Sequence, residues 1–175
     1  MTTNSRSAIE HYIRAKDGNR PHLMAMAFHP DATLEMQVHT GAISFPAKTK
    51  GLKEISNVLV SRFGATYENV YTFSLGTPPE PDASAHTSKW LVAMSDKQTA
   101  EVKVGCGLYE WSFTSGLVSR LQITIEHMQV LPYDALCPIM TWVAPLPYPW
   151  VSQAELTNLA PELEAISDIL NYIGG

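Results

Sequence analysis

Residues Glu101 to Val130 read EVKVGCGLYEWSFTSGLVSRLQITIEHMQV. Two runs rich in β-branched and aromatic residues flank Ser115-Gly116, which is the pattern of two long strands joined by a tight hairpin. In the first run Gly105, Gly107, Tyr109, Trp111 and Phe113 fall on one face; in the second, Glu126 and His127 fall on opposite faces. Upstream, Tyr67 to Leu75 and Ala85 to Met94 have the same character, and Pro78-Pro79 marks the connection between them. Four long strands in succession predict a mainly antiparallel sheet.

The residues before Tyr67 change period. Ile9, Tyr12 and Ile13 recur at helical spacing and run out at Asp17-Gly18-Asn19, predicting a first helix. A second, short one is expected from Pro21 through Phe28, with Pro21 suited to a first turn and His29-Pro30-Asp31 as its stop. Thr33 to His39 alternates, with Leu34, Met36 and Val38 on one face and Thr33, Glu35, Gln37 and His39 on the other, as a strand does. Gly51 to Phe63 places Leu52, Ile55, Val58, Leu59 and Phe63 on one stripe and predicts a third helix. Helices gathered before an antiparallel sheet argue for the α+β class. A sheet this long must curve round three helices, leaving a cone with an apolar floor.

Composition shifts sharply after Val130. Residues 1 to 131 hold 12 basic and 12 acidic side chains, whereas 132 to 175 hold Asp134, Glu155, Glu162, Glu164 and Asp168 with no Lys or Arg, so the net charge of -5 belongs to this tail. The tail also holds six of the twelve prolines. Trp142, Pro145, Leu146, Pro147, Tyr148, Pro149 and Trp150 can neither continue a helix nor sit centrally in a sheet. Ser152 and Glu155 have capping-box spacing, and a helical tail with a break near Pro161 follows. The organisation read here is a pocket domain over 1–131 and, over 132–175, a Pro/aromatic-rich segment and C-terminal helix packing on the body or on a partner subunit.

With 45% apolar and only 17% charged residues in 175, the chain is globular with extra surface to bury. An acidic balance leaves no basic footprint for nucleic acid and no polybasic membrane anchor. Cys106 and Cys137 alone make no disulfide scaffold, and the polar start carries no apolar leader segment, so a cytoplasmic location is expected. No Cys-x-x-Cys, His-Glu-x-x-His or glycine-rich phosphate loop occurs, so neither a metal nor a cofactor is expected. Cys106, in mid-strand, reads as packed rather than nucleophilic.

The order of elements, Phe28-His29-Pro30-Asp31-Ala32-Thr33-Leu34-Glu35, the glycine-led Gly51-Leu52-Lys53-Glu54-Ile55 and the hairpin Ser115-Gly116-Leu117-Val118 together resemble the SnoaL-like, or nuclear transport factor 2-like, superfamily over about residues 7 to 131. The resemblance implies a cone-shaped α+β roll of the cystatin-like kind, often dimerising through its sheet, so a homodimer is expected. It further implies cofactor-independent acid/base chemistry of the isomerase, cyclase or dehydratase type on an apolar aromatic or polycyclic molecule. In ketosteroid isomerases a first-helix tyrosine polarises the substrate carbonyl, and Tyr12 falls there. Their aspartate base falls near Met36, which cannot accept a proton, and their second oxyanion-hole acid near Tyr109. The loss of that base favours an alternative, a non-catalytic ligand-binding or assembly module of the same fold.

The candidate catalytic residues are Tyr12 and Tyr109 as hydrogen-bond donors and His86 or His39 as proton carrier. His86 with the two tyrosines faintly resembles the scytalone dehydratase arrangement. Met36, Phe63, Trp90, Trp111 and Glu126 are the candidate ligand-binding residues, Trp90 and Trp111 as walls. Glu126 would gain a raised pKa if it faced the apolar interior. Each has a plainer reading: core aromatics, surface imidazoles and a surface carboxylate. Glu101 and Lys103 read as a solvated pair at a sheet edge. Whether the proline-rich segment drapes over the cone mouth or over a partner's sheet is left open by the sequence.

Overall fold

The computed structural model describes residues 3–175. Helix α1, Ser5–Asp17, starts at Asn4, whose side chain accepts the Ser7 N–H at 2.8 Å while Ser7 Oγ accepts the Asn4 N–H at 3.0 Å. This capping box satisfies two otherwise orphaned donors. Ala8, Ile9, Tyr12, Ile13, Ala15 and Lys16 are buried along one side, and the helix ends at Gly18 before Asn19 turns left-handed at φ 51°. The second helix is a 3-10 turn, Pro21–Met26, and not an α-helix reaching Phe28. Eight residues, 20–27, separate the Asn19 turn from β1, and a 3-10 turn of six fills that short span.

Among the described residues seven strands form one sheet: β1 Phe28–Val38, β2 Lys48–Lys50, β3 Tyr67–Leu75, β4 Ala85–Asp96, β5 Val102–Thr114, β6 Leu117–Leu131 and β7 Trp150–Val151. Their order is β2-β1-β6-β5-β4-β3-β7, antiparallel except for β1 beside β6 and β3 beside β7. Strand β1 begins five residues before Thr33 because Phe28 pairs with Val118 while His29–Ala32 bulges out; Pro30, which lacks a donor, sits in the bulge. The short edge strands β2 and β7 carry too few residues for an alternation to be read.

The third helix runs as α2, Leu52–Ser56, a π-turn, Asn57–Ser61, and α3, Arg62–Thr66. Val58, Leu59 and Val60 of the π-turn are all buried, and its wider winding brings successive side chains closer round the axis than the 100° of an α-helix.

The sheet bends where β6 carries extra residues. Ser119 and Glu126 have no partner on β5, and such bulges tighten the twist. Opposite the second bulge, a Cβ on Gly107 would strike the Thr124 carbonyl oxygen and approach the Trp90 ring to 2.9 Å. Glycine here permits the close approach on which the bend depends.

Both faces of the sheet are buried. The concave face packs Trp90, Val92, Met94, Tyr109, Trp111, Ile123 and Ile125 on α1 and the third helix. The convex face packs Phe73, Leu91, Ala93, Val102, Val104 and Cys106 under the tail. A two-sided core accounts for the shortage of charged residues. The tail comprises α4 Leu136–Val143, β7, α5 Gln153–Asn158, a 3-10 turn Glu164–Ile166 and α6 Ser167–Gly174. Trp142 thus lies in a helix, contrary to the sequence reading: Pro138 falls in its first turn, where the missing N–H costs nothing. Proline-flanked Trp150 and Val151 do pair, at the sheet edge. The capping box forms, with Glu155 N–H donating to Ser152 Oγ at 3.1 Å and Ser152 N–H to Glu155 Oε1 at 3.2 Å. Lys89 Nζ donates to the Tyr172 carbonyl at 2.7 Å and fixes α6 to β4. The tail therefore covers the convex face of the chain's own sheet.

Trp142 is 3% exposed and its Nε1 donates to the Leu156 carbonyl at 2.9 Å. Trp142→Ala is expected to lower unfolding free energy by about 3–5 kcal/mol. Urea denaturation checks this, and a loss below about 1 kcal/mol would show the tail to be loosely docked.

Candidate functional site

The concave face is almost filled. Between α1, the third helix and β4–β6 lies a cavity of about 30 Å³, room for about two waters where one needs roughly 10–15 Å³. Tyr12, Lys16, Met36, Phe63, Trp90 and Tyr109 line it, with Leu59, Val92, Met94, Ile123, Ile125 and Met128 supplying apolar wall. Ile43 and Phe45, from the connection between β1 and β2, also line it and border a larger groove of about 430 Å³ beside Val58, Arg62 and Tyr67. The roomy hollow expected from the sequence is therefore a small one, because three methionines and Trp90 occupy the cone. Lys103 Nζ donates to the Ala42 carbonyl and to Tyr67 Oη, each at 3.0 Å, so it tethers this connection and makes no pair with Glu101.

Five of the nine candidate residues meet at the cavity: Tyr12, Tyr109, Met36, Phe63 and Trp90. Tyr12 packs edge-on to Phe28, Tyr109 and Trp111 at 5.5–6.0 Å, and its hydroxyl has no hydrogen-bond partner of acceptable geometry. Tyr109 stacks on Trp90 at 5.6 Å. Trp111 stands behind Tyr12, buried but off the cavity wall.

Three candidates lie elsewhere. His86 faces the concave side but precedes Trp90 by four residues, about 13 Å along a strand, and packs on Trp150 with centroids 6.0 Å apart. Burial lowers its pKa. His39 follows β1 on the face opposite Met36, and its Nδ1 lies 3.2 Å from Glu126 Oε1. Glu126 is the unpaired residue of the second bulge, which turns it toward His39 and away from the cavity.

The sequence reading missed Lys16, although it lies one turn beyond Tyr12 on the same helical face, a spacing that could have revealed it. Among the described residues it is the one charged side chain on the cavity wall. Its Nζ donates to Thr72 Oγ1 at 2.7 Å, stands 3.6 Å from Asp17 Oδ1 and lies 4.5 Å from the centre of the Phe63 ring. Asp17, read from the sequence as part of a helix stop, is buried as well. It accepts the Thr72 N–H and hydroxyl, both at 2.7 Å, and the Tyr148 hydroxyl at 2.8 Å. Burial pulls the Lys16 pKa down and pushes that of Asp17 up, each opposed by the other's charge. The ammonium and carboxylate are thereby brought closer to exchanging a proton than they are in water.

Chemically, the wall carries two tyrosines and one lysine in an otherwise apolar lining. It has no carboxylate or imidazole on the cavity wall. Among the described residues no three His, Cys, Asp or Glu side chains gather as a metal ion would require, and no helix is long and apolar enough to cross a membrane. Burial pushes the Cys106 thiol up to about 12, which leaves it a packing residue on the convex face.

No family model matches the chain, and no curated protein matches its sequence. Solved structures do match in fold. A protein with a ketosteroid isomerase-like fold from Catenulispora acidiphila DSM 44928, solved in complex with trimethylamine, aligns at a TM-score of 0.55 and 17% identity, over 68% of this chain and 85% of that one. An NTF2-like protein from Burkholderia thailandensis E264 aligns at 0.56 and 10% identity, over 71% and 92%. An LEH-like epoxide hydrolase of M. tuberculosis aligns at 0.53 and 11% identity, over 69% and 81%. The chain has the nuclear transport factor 2-like, ketosteroid isomerase-like fold.

Burial raises the pKa of both Tyr12 and Tyr109 above the ordinary phenol value. A folded-state pKa above the unfolded value, about 10, means that their contribution to stability is intact below pH 10 and is lost as pH rises further. Absorbance at 295 nm is expected to show these two phenols ionising only together with loss of the near-ultraviolet circular dichroism signal. Their ionisation in the folded chain near pH 10 would show them to be solvated.

Proposed function

We propose that this chain is a small-molecule pocket protein that takes an apolar aromatic or polycyclic ligand carrying one carbonyl or phenolic oxygen. The observation that carries this reading is the buried Tyr12 hydroxyl, which has beside it the Tyr109 phenol but no hydrogen bond of regular geometry, in an otherwise apolar cavity. A buried donor without an acceptor costs about 1–3 kcal/mol, and a ligand oxygen between the phenols removes that cost. Ile43 and Phe45 border both the cavity and the adjoining groove, so a shift of these side chains enlarges the space open to a ligand. Met36, Met94 and Met128 can repack around a guest because thioether side chains are unbranched and adaptable.

The resemblance to isomerases, cyclases and dehydratases supports cofactor-independent acid/base turnover, with the phenols stabilising a developing oxyanion and Lys16 carrying the proton. Lys16 replaces His86 and His39 in that role, since neither reaches the cavity. A second reading, a non-catalytic binding module, is favoured by Met36, whose thioether stands on the wall where the resemblance puts a base.

Calorimetric titration with 2-naphthol and 1-indanone tests the binding, and exchange of the indanone α-protons with D2O, followed by NMR, tests the chemistry. Tyr12→Phe is expected to weaken binding about tenfold, the equivalent of roughly 1.4 kcal/mol. Exchange above the buffer rate that disappears in Lys16→Met supports the enzyme; binding without exchange supports the module. Absence of heat from both ligands contradicts the pocket itself.

A further inference from the structure

Lys16 does not stand alone at the cavity wall. Its Nζ donates to Thr72 Oγ1 at 2.7 Å, and the same hydroxyl donates to Asp17 Oδ1 at 2.7 Å. The hydroxyl thus joins amine and carboxylate in one hydrogen-bonded line, although the direct separation of nitrogen and oxygen is 3.6 Å. Asp17 is held from the far side by the Thr72 N–H and the Tyr148 hydroxyl, so it cannot rotate away. Both side chains are under 10% exposed. Of the seven lysines in the chain, Lys48, Lys50 and Lys53 are exposed, Lys89 is committed to the Tyr172 carbonyl, Lys97 to the Gly64 carbonyl, and Lys103 to Ala42 and Tyr67. Of these lysines, Lys16 alone lines the apolar cavity that Tyr12 and Tyr109 also line.

We infer that Lys16 is a carbonyl-capturing amine, which forms an imine with a small apolar aldehyde or ketone held in the cavity, with Thr72 and Asp17 relaying the proton. This rests on the pocket reading above and names the substrate class it would hold. The ammonium passes one proton through the Thr72 hydroxyl to Asp17. The freed nitrogen lone pair adds to the carbonyl carbon while the π pair moves to oxygen, which takes a proton from the nitrogen to give a carbinolamine. The hydroxyl then takes back the proton held by Asp17 and leaves as water, as the nitrogen lone pair closes the C=N bond. One carbonyl and one ammonium become one protonated imine and one water, and the positive nitrogen again faces the Asp17 carboxylate. Tyr12 and Tyr109 donate toward the carbonyl oxygen while it carries charge. Nucleophilic lysines of this kind require an apolar pocket and a proton acceptor close by, and both are present.

The test treats the intact protein with 3-phenylpropanal and sodium cyanoborohydride, and locates the reduced adduct by peptide mass mapping. The expected result is one adduct per chain at Lys16, suppressed by 1-indanone, formed about tenfold more slowly in Thr72→Val and lost at that position in Lys16→Arg. Where Lys16→Arg fails to fold, the site map of the native chain and the Thr72→Val rate decide. Labelling spread over Lys48, Lys50 and Lys53, with Lys16 unmodified, overturns the inference. The non-reactive alcohol 3-phenylpropan-1-ol separates the two claims: calorimetric binding of the alcohol without trapping of the aldehyde overturns imine formation and leaves the pocket standing, whereas neither binding nor trapping overturns both.

Discussion

A carboxylate taken out of water must find a donor for its lone pairs, and Asp17 finds donors from separate parts of the chain. Thr72 of β3 gives two hydrogen bonds and Tyr148 of the tail gives a third, while Lys16 on α1 supplies the opposing charge. Desolvation of each ion costs several kcal/mol unless the geometry is kept. Helix α1 therefore cannot slide or rotate over the sheet without stranding a charge. Tyr12, one turn earlier, is positioned by the same constraint. The tail is bound into it twice, since Trp150 Nε1 also donates to Glu10 Oε2 on α1 at 2.8 Å.

The rest of the architecture follows from a sheet that is apolar on both sides. The bulges at Ser119 and Glu126 and the glycine at 107 curl its concave face round α1 and the third helix. The convex face is then left with Phe73, Leu91, Val102 and Val104, which α4, α5 and α6 cover. Tyr148 joins these layers: its ring meets Phe73 edge-on at 5.8 Å, and its hydroxyl reaches Asp17 at the edge of the concave core. The cavity wall and the docked tail are thus joined through one hydrogen-bonded assembly, Lys16, Thr72, Asp17 and Tyr148.

Much of the fold was legible because it rests on period. The four strands from Tyr67 to Val130 show alternation or β-branched runs, and the observed strands agree to within a residue or two at their ends. Ser115-Gly116 reads as a hairpin because both residues need positive φ, 53° and 78° here. The π-turn at Asn57–Ser61 and the bulge at Glu126 were not legible, since neither alters the pattern of residue types. That bulge is why Glu126 could not be assigned a face. For the site, Tyr12, Tyr109, Met36, Phe63 and Trp90 followed from facing and resemblance. The Lys16, Thr72, Asp17 and Tyr148 assembly joins residues up to 132 positions apart, and no local spacing encodes such a contact. His39 was legible in the other direction, because its alternation already put it opposite Met36.

The seating of α1 on the sheet depends on the coupling between Lys16 and Asp17. A double-mutant cycle with Lys16→Met and Asp17→Asn, read by urea unfolding at neutral pH, measures it. Each single change should cost about 3–5 kcal/mol by leaving its partner buried and uncompensated. The double variant should lose less than the sum by at least about 2 kcal/mol. Single losses below about 1 kcal/mol that simply add in the double variant would contradict the account, showing that these charges neither position α1 nor hold the cavity together.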